Sequence, residues 1–157
     1  MDDADAAVIT TLYTAFQALD GPGMAACYHP DAAFSDPVFQ RLQGPQVGSM
    51  WKMLCGRAKG LEVKFSDVKA AGGKGSARWE ARYAFGPAGR PVHNVIAASF
   101  ELKEGKILRH TDQFDLYRWT RMALGPMGVL LGWSPLVQGK VRRQAMAGLD
   151  KYMGTPA

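Results

Sequence analysis

Six residues carry the chemistry that this sequence offers. Asp36 stands between the short apolar run Ala33-Phe34-Ser35 and Pro37, with Phe39 close behind. A carboxylate at a strand-to-loop break among aromatic neighbours has its pKa raised by burial, which suits a general base. The same Asp-Pro step also suits a plain turn, with the carboxylate capping the local backbone. Tyr13 lies on the apolar stripe of an N-terminal helix, so its ring is expected inside and its hydroxyl needs a partner. His110 and Asp112 are two apart on a strand and share a face, and His93-Asn94 lies on the strand before. Together these residues point to proton transfer on a small molecule. Phe34, Trp51, His93, Asn94 and Phe114 are candidates to line its binding site.

Other chemistries find less support. His110 and Asp112, with His29 or His93, have no recognised metal-ligand spacing, so no metal is expected. Gly72, Gly73 and Gly75 precede a strand and not a helix, which makes them a turn and not a phosphate cradle. Neither a nucleophile elbow nor a dinucleotide fingerprint occurs, and no cofactor is called for.

The elements that position these residues follow from periodicity. Residues 2–19 read as a helix through Ile9, Leu12, Tyr13, Phe16 and Leu19, with Asp2, Asp3 and Asp5 at its positive end. Residues 23–29 read as a short second helix, followed by a turn at His29-Pro30-Asp31 and a strand start at Ala33. Gln40 to Gly44 reads as a loop. Pro45 opens a third helix, with Val47, Met50, Trp51 and Leu54 inward. From Leu61 the period changes to two. Strands are expected over 61–66, 76–85, 91–102 and 106–117, with Leu108, His110, Asp112 and Phe114 on one face of the last. Helices first and antiparallel strands afterwards give an α+β fold whose helices cover one face of a curved sheet, leaving an interior pocket.

The tail reads as a helical turn over 117–122, two breaks at Gly125-Pro126 and Gly132-Trp133-Ser134-Pro135, and a final amphipathic helix over 136–153. Leu136, Val137, Val141, Ala145, Leu149 and Tyr152 are its expected inward face, with Lys140, Arg142, Arg143 and Lys151 mostly outward. It reads as docked on the body or on a second subunit. Its apolar face is weak for a membrane-surface helix, so no membrane is expected.

Composition sets the outer limits. The chain has 157 residues, 47% of them hydrophobic and 21% charged, which fits an ordered globular protein with a sizeable core. The net charge of +5 is moderate, and without aromatic-basic interleaving it does not indicate nucleic acid. Cys27 and Cys55 lack CxxC spacing and read as buried thiols in a reducing compartment, with a disulfide between them left open. The acidic N-terminus does not read as a signal peptide, and the expected location is the cytoplasm.

The order of elements resembles the cone-shaped α+β fold of the nuclear transport factor 2-like superfamily. That group includes ketosteroid isomerases, SnoaL-type polyketide cyclases and limonene epoxide hydrolases. The run "YTAFQALDGPGMAACYHPDAAFSDPVF" is similar to the N-terminal half of the isomerases. That resemblance implies Asp36 as general base and Tyr13 as the oxyanion-binding tyrosine. The run "GKILRHTDQFDL" is similar to the last strand of the epoxide hydrolases and cyclases, which implies a catalytic role for Asp112, with His110 beside it. Ala97 or Ala98 stands where the isomerases carry a protonated aspartate, and Glu80-Ala81-Arg82 does not match the Arg and Asp of the epoxide hydrolases. The resemblance spans residues 1–118, leaving 119–157 as a C-terminal helical extension. It implies either a cofactor-independent isomerase, cyclase or hydrolase acting on a small apolar carbonyl or epoxide compound, or a domain that only binds such a ligand, or a homodimeric interaction domain. It also implies a homodimer, through a sheet face carrying Arg78, Glu80 and Arg82.

Overall fold

The computed structural model describes residues 3–154. Helix α1 (Asp3–Gln17) leads into the short α2 (Gly21–Ala25), then β1 (Tyr28–Ser35), β2 (Leu42–Gln43) and α3 (Pro45–Arg57). Strands β3 (Glu62–Ala71), β4 (Lys74–Phe85), β5 (Arg90–Lys103) and β6 (Lys106–Gln113) follow. Helices α4 (Leu116–Leu124), α5 (Pro126–Leu131) and α6 (Pro135–Gly154) complete the described chain. The six strands form one curved, unclosed sheet in the order β2-β1-β6-β5-β4-β3.

The α+β class holds, and most expected elements form. Asp3 and Asp5 sit in the first turn of α1, while Asp2 lies outside the described residues. Pro45 stands in the first turn of α3, where its missing N–H costs nothing. The sheet is mixed, however: β1 and β6 run parallel, joined by the long excursion through α3 and β3–β5. Several local expectations need correction. His29-Pro30-Asp31 is part of β1 and not a turn, and α2 ends at Ala25. Pro30 is tolerated because the β1–β6 register shifts between Tyr28 and Ala33, so no ladder bond is needed there. Leu19 adopts φ +55 beyond the end of α1 and is exposed. Part of the expected 40–44 loop is β2.

The last strand stops at Gln113, so Phe114 begins a bend and Asp115 caps α4, accepting from the Arg118 N–H at 3.0 Å. An irregularity opposite Glu101 and Leu102 pairs Leu102 with Ile107 and Glu101 with Arg109. Leu108 thereby drops out of phase, and Ile107, His110 and Asp112 are the buried positions of β6. In α6 the fully buried residue is Leu149, with Val141, Ala145 and Met146 half-buried. Leu136 and Tyr152 are exposed, and Arg142 turns inward to donate from Nε to the Pro37 carbonyl at 2.9 Å.

The main core lies between α1–α3 and the concave face of the sheet. Each large apolar side chain buried there contributes roughly 1.5–3 kcal/mol. A second cluster, Val92, Leu116, Trp119 and Ala123, seats α4 on β5, and Val141 of α6 packs against it. Cys27 and Cys55 are buried free thiols, which settles the open question of a disulfide.

Candidate functional site

Strand β6 carries the centre of the site. With Leu108 displaced, His110 and Asp112 both point into the cone. His110 Nε2 lies 2.7 Å from Asp112 Oδ1, and His110 Nδ1 lies 2.8 Å from the Tyr28 hydroxyl. That hydroxyl also accepts from Trp51 Nε1 at 2.8 Å, while Trp79 Nε1 donates to Asp112 Oδ1 at 3.4 Å. A carboxylate at Asp112 takes the Nε2–H, which leaves Nδ1 to accept the Tyr28 proton. The result is a continuous buried chain from Trp51 through Tyr28 and His110 to Asp112.

Aromatic rings wall this chain in. Phe100 and Phe34 lie 4.4 Å and 5.0 Å from the His110 ring, centroid to centroid, and Trp51 packs edge-on against Phe16 and Phe34. Burial pushes the Tyr28 hydroxyl well above its usual pKa, and the charge of Asp112 adds to the effect. Tyr13 is pushed up for the same two reasons in the same order. Its ring stacks on Phe65, and its hydroxyl is the buried side-chain polar atom that has no hydrogen-bond partner among the described residues. Such a group costs about 1–3 kcal/mol unless something satisfies it.

Asp36 forms a second, shallower part. Its Oδ1 accepts from the N–H groups of Val38 and Phe39 at 2.7 Å and 2.6 Å, and its own N–H donates to the Phe39 carbonyl. The turn and the buried acid are therefore the same object. Desolvation raises its pKa to about 7, against the lowering effect of the two backbone bonds and with a further push from Asp112. Burial also raises Tyr83, opposed by its hydrogen bond from Trp119 Nε1 and aided by the charge of Asp36. The Arg142 bond to Pro37 brings α6 across this loop.

The structure thus brings Tyr13, His110, Asp112, Phe34 and Trp51 together. Asn94 is buried and faces the same way, opposite Ala81 of β4. His93 faces the other side of the sheet and pairs there with Glu80 at 3.0 Å, so it does not line the interior. Phe114 is half-buried beyond the strand end, between the two clusters. Ala98 lies directly opposite Asp112 and is buried, so a methyl group occupies the place where the expected second acid donor is missing.

Tyr28 and Trp79 escaped the sequence reading. The spacing places Tyr28 in a helix, and only the parallel pairing of β1 with β6 sets it against His110. The expected open interior is also corrected: aromatic rings fill it. Open hollows of about 120 Å³ and about 40 Å³ lie on the sheet's opposite face, along Lys64, Arg78 and Glu80 and along Glu62 and Arg82. Among the described residues no group of three or more His, Cys, Asp or Glu could hold a metal ion.

Comparison with known proteins agrees with this architecture. The family model for a SnoaL-like domain matches residues 9–110. A comparison with curated proteins finds no significant match. Among solved structures, an LEH-like epoxide hydrolase from M. tuberculosis is 22% identical, with 84% of this chain and 98% of that one covered and a TM-score of 0.66. A candidate SnoaL-like polyketide cyclase from Jannaschia is 16% identical, with 79% and 94% covered and a TM-score of 0.69. A protein of ketosteroid isomerase-like fold from Catenulispora acidiphila, solved with trimethylamine, is 13% identical, with 76% and 93% covered and a TM-score of 0.66. At these identities the likeness carries the fold.

Proposed function

The chain belongs to the SnoaL-like domain family, and from that premise we propose that it binds a small, largely apolar carbonyl or epoxide compound inside the cone and performs acid–base chemistry on it without a cofactor. The observation that supports this reading is the buried Tyr13 hydroxyl, a donor with no partner among the described residues, held within reach of the charge of Asp112. A fold that pays for such a group has a use for it where a substrate oxygen gains charge. In this scheme Tyr13 donates to that oxygen. Asp112 removes a proton or activates a water molecule, and His110 and Tyr28 orient the carboxylate. Asp36 is the second candidate base, because a group with a pKa of about 7 gives up and takes back a proton near neutral pH. A positioned base contributes roughly 10² to 10⁴ in rate. Substrate entry requires the aromatic filling to part.

The test is calorimetric titration of substituted phenols and naphthols, whose oxygens can carry charge, against neutral isosteres of equal shape. Wild type is expected to favour the charged forms by at least about tenfold. Tyr13→Phe should abolish that preference, whereas Asp112→Asn, which removes a like charge beside the bound oxygen, should keep or strengthen it. Equal affinity for charged and neutral compounds would remove the catalytic reading.

A second reading has one observation in its favour, the filled interior. In it the cone is an interaction domain, homodimeric through the sheet face that carries Arg78, Glu80 and Arg82. Cross-strand neighbours there alternate in sign, with Glu62 opposite Arg82 and Lys64 opposite Glu80. Absence of any ligand binding together with a dimer in analytical ultracentrifugation would favour it.

A further inference from the structure

The segment joining α4 to α6 departs from ordinary surface composition. Met127, Val129, Leu130, Leu131, Trp133 and Leu136 are all exposed, with Leu130 at 70%, Trp133 at 63% and Leu136 at 77%. Single exposed apolar residues are common, but six within ten positions form a patch that calls for an explanation. The backbone beneath it is firmly seated. A side chain at Gly128 would collide with the Thr120 carbonyl, and one at Gly132 with the Thr120 hydroxyl, so α5 sits directly on α4. Trp133 Nε1 donates to the Leu130 carbonyl and Gln138 Nε2 to the Gly132 carbonyl, both at 2.9 Å. The glycines face inward, and the large apolar side chains are held outward on an ordered frame.

Charge says what covers the patch. From residue 115 onward the sequence has six basic residues against Asp115 and Asp150, a net +4 out of +5 for the whole chain. Three of the basic residues border the apolar surface. The Arg121 guanidinium lies 4.9 Å over the Tyr117 ring, and the Tyr117 hydroxyl donates to the Val129 carbonyl of α5 at 2.8 Å. Lys140 and Arg143 follow Leu136 at helical spacing, and all three are exposed on the same face of α6. Aliphatic side chains and a tryptophan ringed by cations match the boundary between acyl chains and anionic headgroups. A second copy of this chain fits worse, because self-pairing of the patch would bring the two sets of cations together.

We propose that the α5–α6 segment docks this protein on the surface of an anionic lipid bilayer. No described helix is long and apolar enough to cross one, so the segment lies in the interface. The proposal departs from the expectation of no membrane, which rested on the weak apolar face of residues 136–153. The exposed apolar side chains lie mostly ahead of that face. The docking stands independently of any chemistry inside the cone.

The experiment is flotation of the purified full chain with vesicles of phosphatidylcholine mixed with phosphatidylglycerol, and with vesicles of phosphatidylcholine alone. Binding to the mixed vesicles is expected, weakened by salt. Lys140→Gln with Arg143→Gln should weaken it about 30-fold. Leu130→Ser with Leu136→Ser should weaken it at least about tenfold. Trp133 is exposed while Trp51, Trp79 and Trp119 are buried, so binding should shift emission to the blue, and Trp133→Phe should remove the shift. Failure of wild type to bind the mixed vesicles would overturn the proposal. So would binding left intact in both double variants, or a wild-type dimer that Leu130→Ser with Leu136→Ser converts to monomer without vesicle binding.

Discussion

Asp36→Asn should change the pH dependence of stability more than stability itself. Burial raises the acid from 3.8 to about 7 in the folded chain. The folded state then holds this proton more tightly than the unfolded state. The Asp36 contribution is therefore fully present below about pH 4 and is lost as pH rises through about 7. Between about pH 5 and about pH 8.5 the unfolded carboxyl is ionised throughout, while the folded one loses its proton. At about 1.4 kcal/mol for each pKa unit, that interval costs the folded state about 2–3 kcal/mol. Asp36 keeps a partly exposed edge, and solvent screening there brings the figure to about 2 kcal/mol. Asparagine keeps an oxygen to accept from the Val38 and Phe39 N–H groups but carries no charge. Urea unfolding of both proteins at the two pH values measures the difference, and the other titrating groups cancel in the comparison. Wild type is expected to lose about 2 kcal/mol more than the variant over the interval. Parallel pH profiles, or a steeper fall in the variant, would refute the claim that desolvation dominates at Asp36.

The two inward tyrosines should respond oppositely to loss of the hydroxyl. Tyr28→Phe leaves both Trp51 Nε1 and His110 Nδ1 without their partner and should cost about 2–4 kcal/mol in urea unfolding. Tyr13→Phe removes a hydroxyl with no partner among the described residues and should be neutral or slightly stabilising in the same assay. Gly128→Ala should push α5 off α4, seen as faster proteolytic cleavage within 125–135 with the cone's far-ultraviolet signal retained. Burial raises the pKa of Cys27 and of Cys55, so both should react with a thiol reagent at neutral pH far more slowly than a free cysteine, and quickly once the chain is unfolded.

Much of this protein was legible in the order of its residues. A repeat of three to four between Ile9 and Phe16, and a repeat of two from Val63 onward, follow from the geometry of single elements, which neighbouring residues alone determine. The segregation of helices from strands then dictates the α+β class. The inward direction of Tyr13 was readable because it sits in phase with the apolar stripe of α1, while His110 and Asp112 were readable as sharing a face through their spacing of two.

What only the tertiary structure decided depends on groups far apart in the chain. The register shift opposite Leu102 chose Ile107 over Leu108 for the core, and no local pattern carries a bulge set by the partner strand. The parallel pairing of β1 with β6 joins Tyr28 to His110 across 82 positions. The side of the sheet taken by His93 was decided by its place in the ladder opposite Arg82, with Glu80 as neighbour. The interior that sequence alone left open was closed by Trp51, Trp79, Phe34 and Phe100 arriving from four elements. Close packing is a property of volumes meeting in space, and spacing along the chain does not record it.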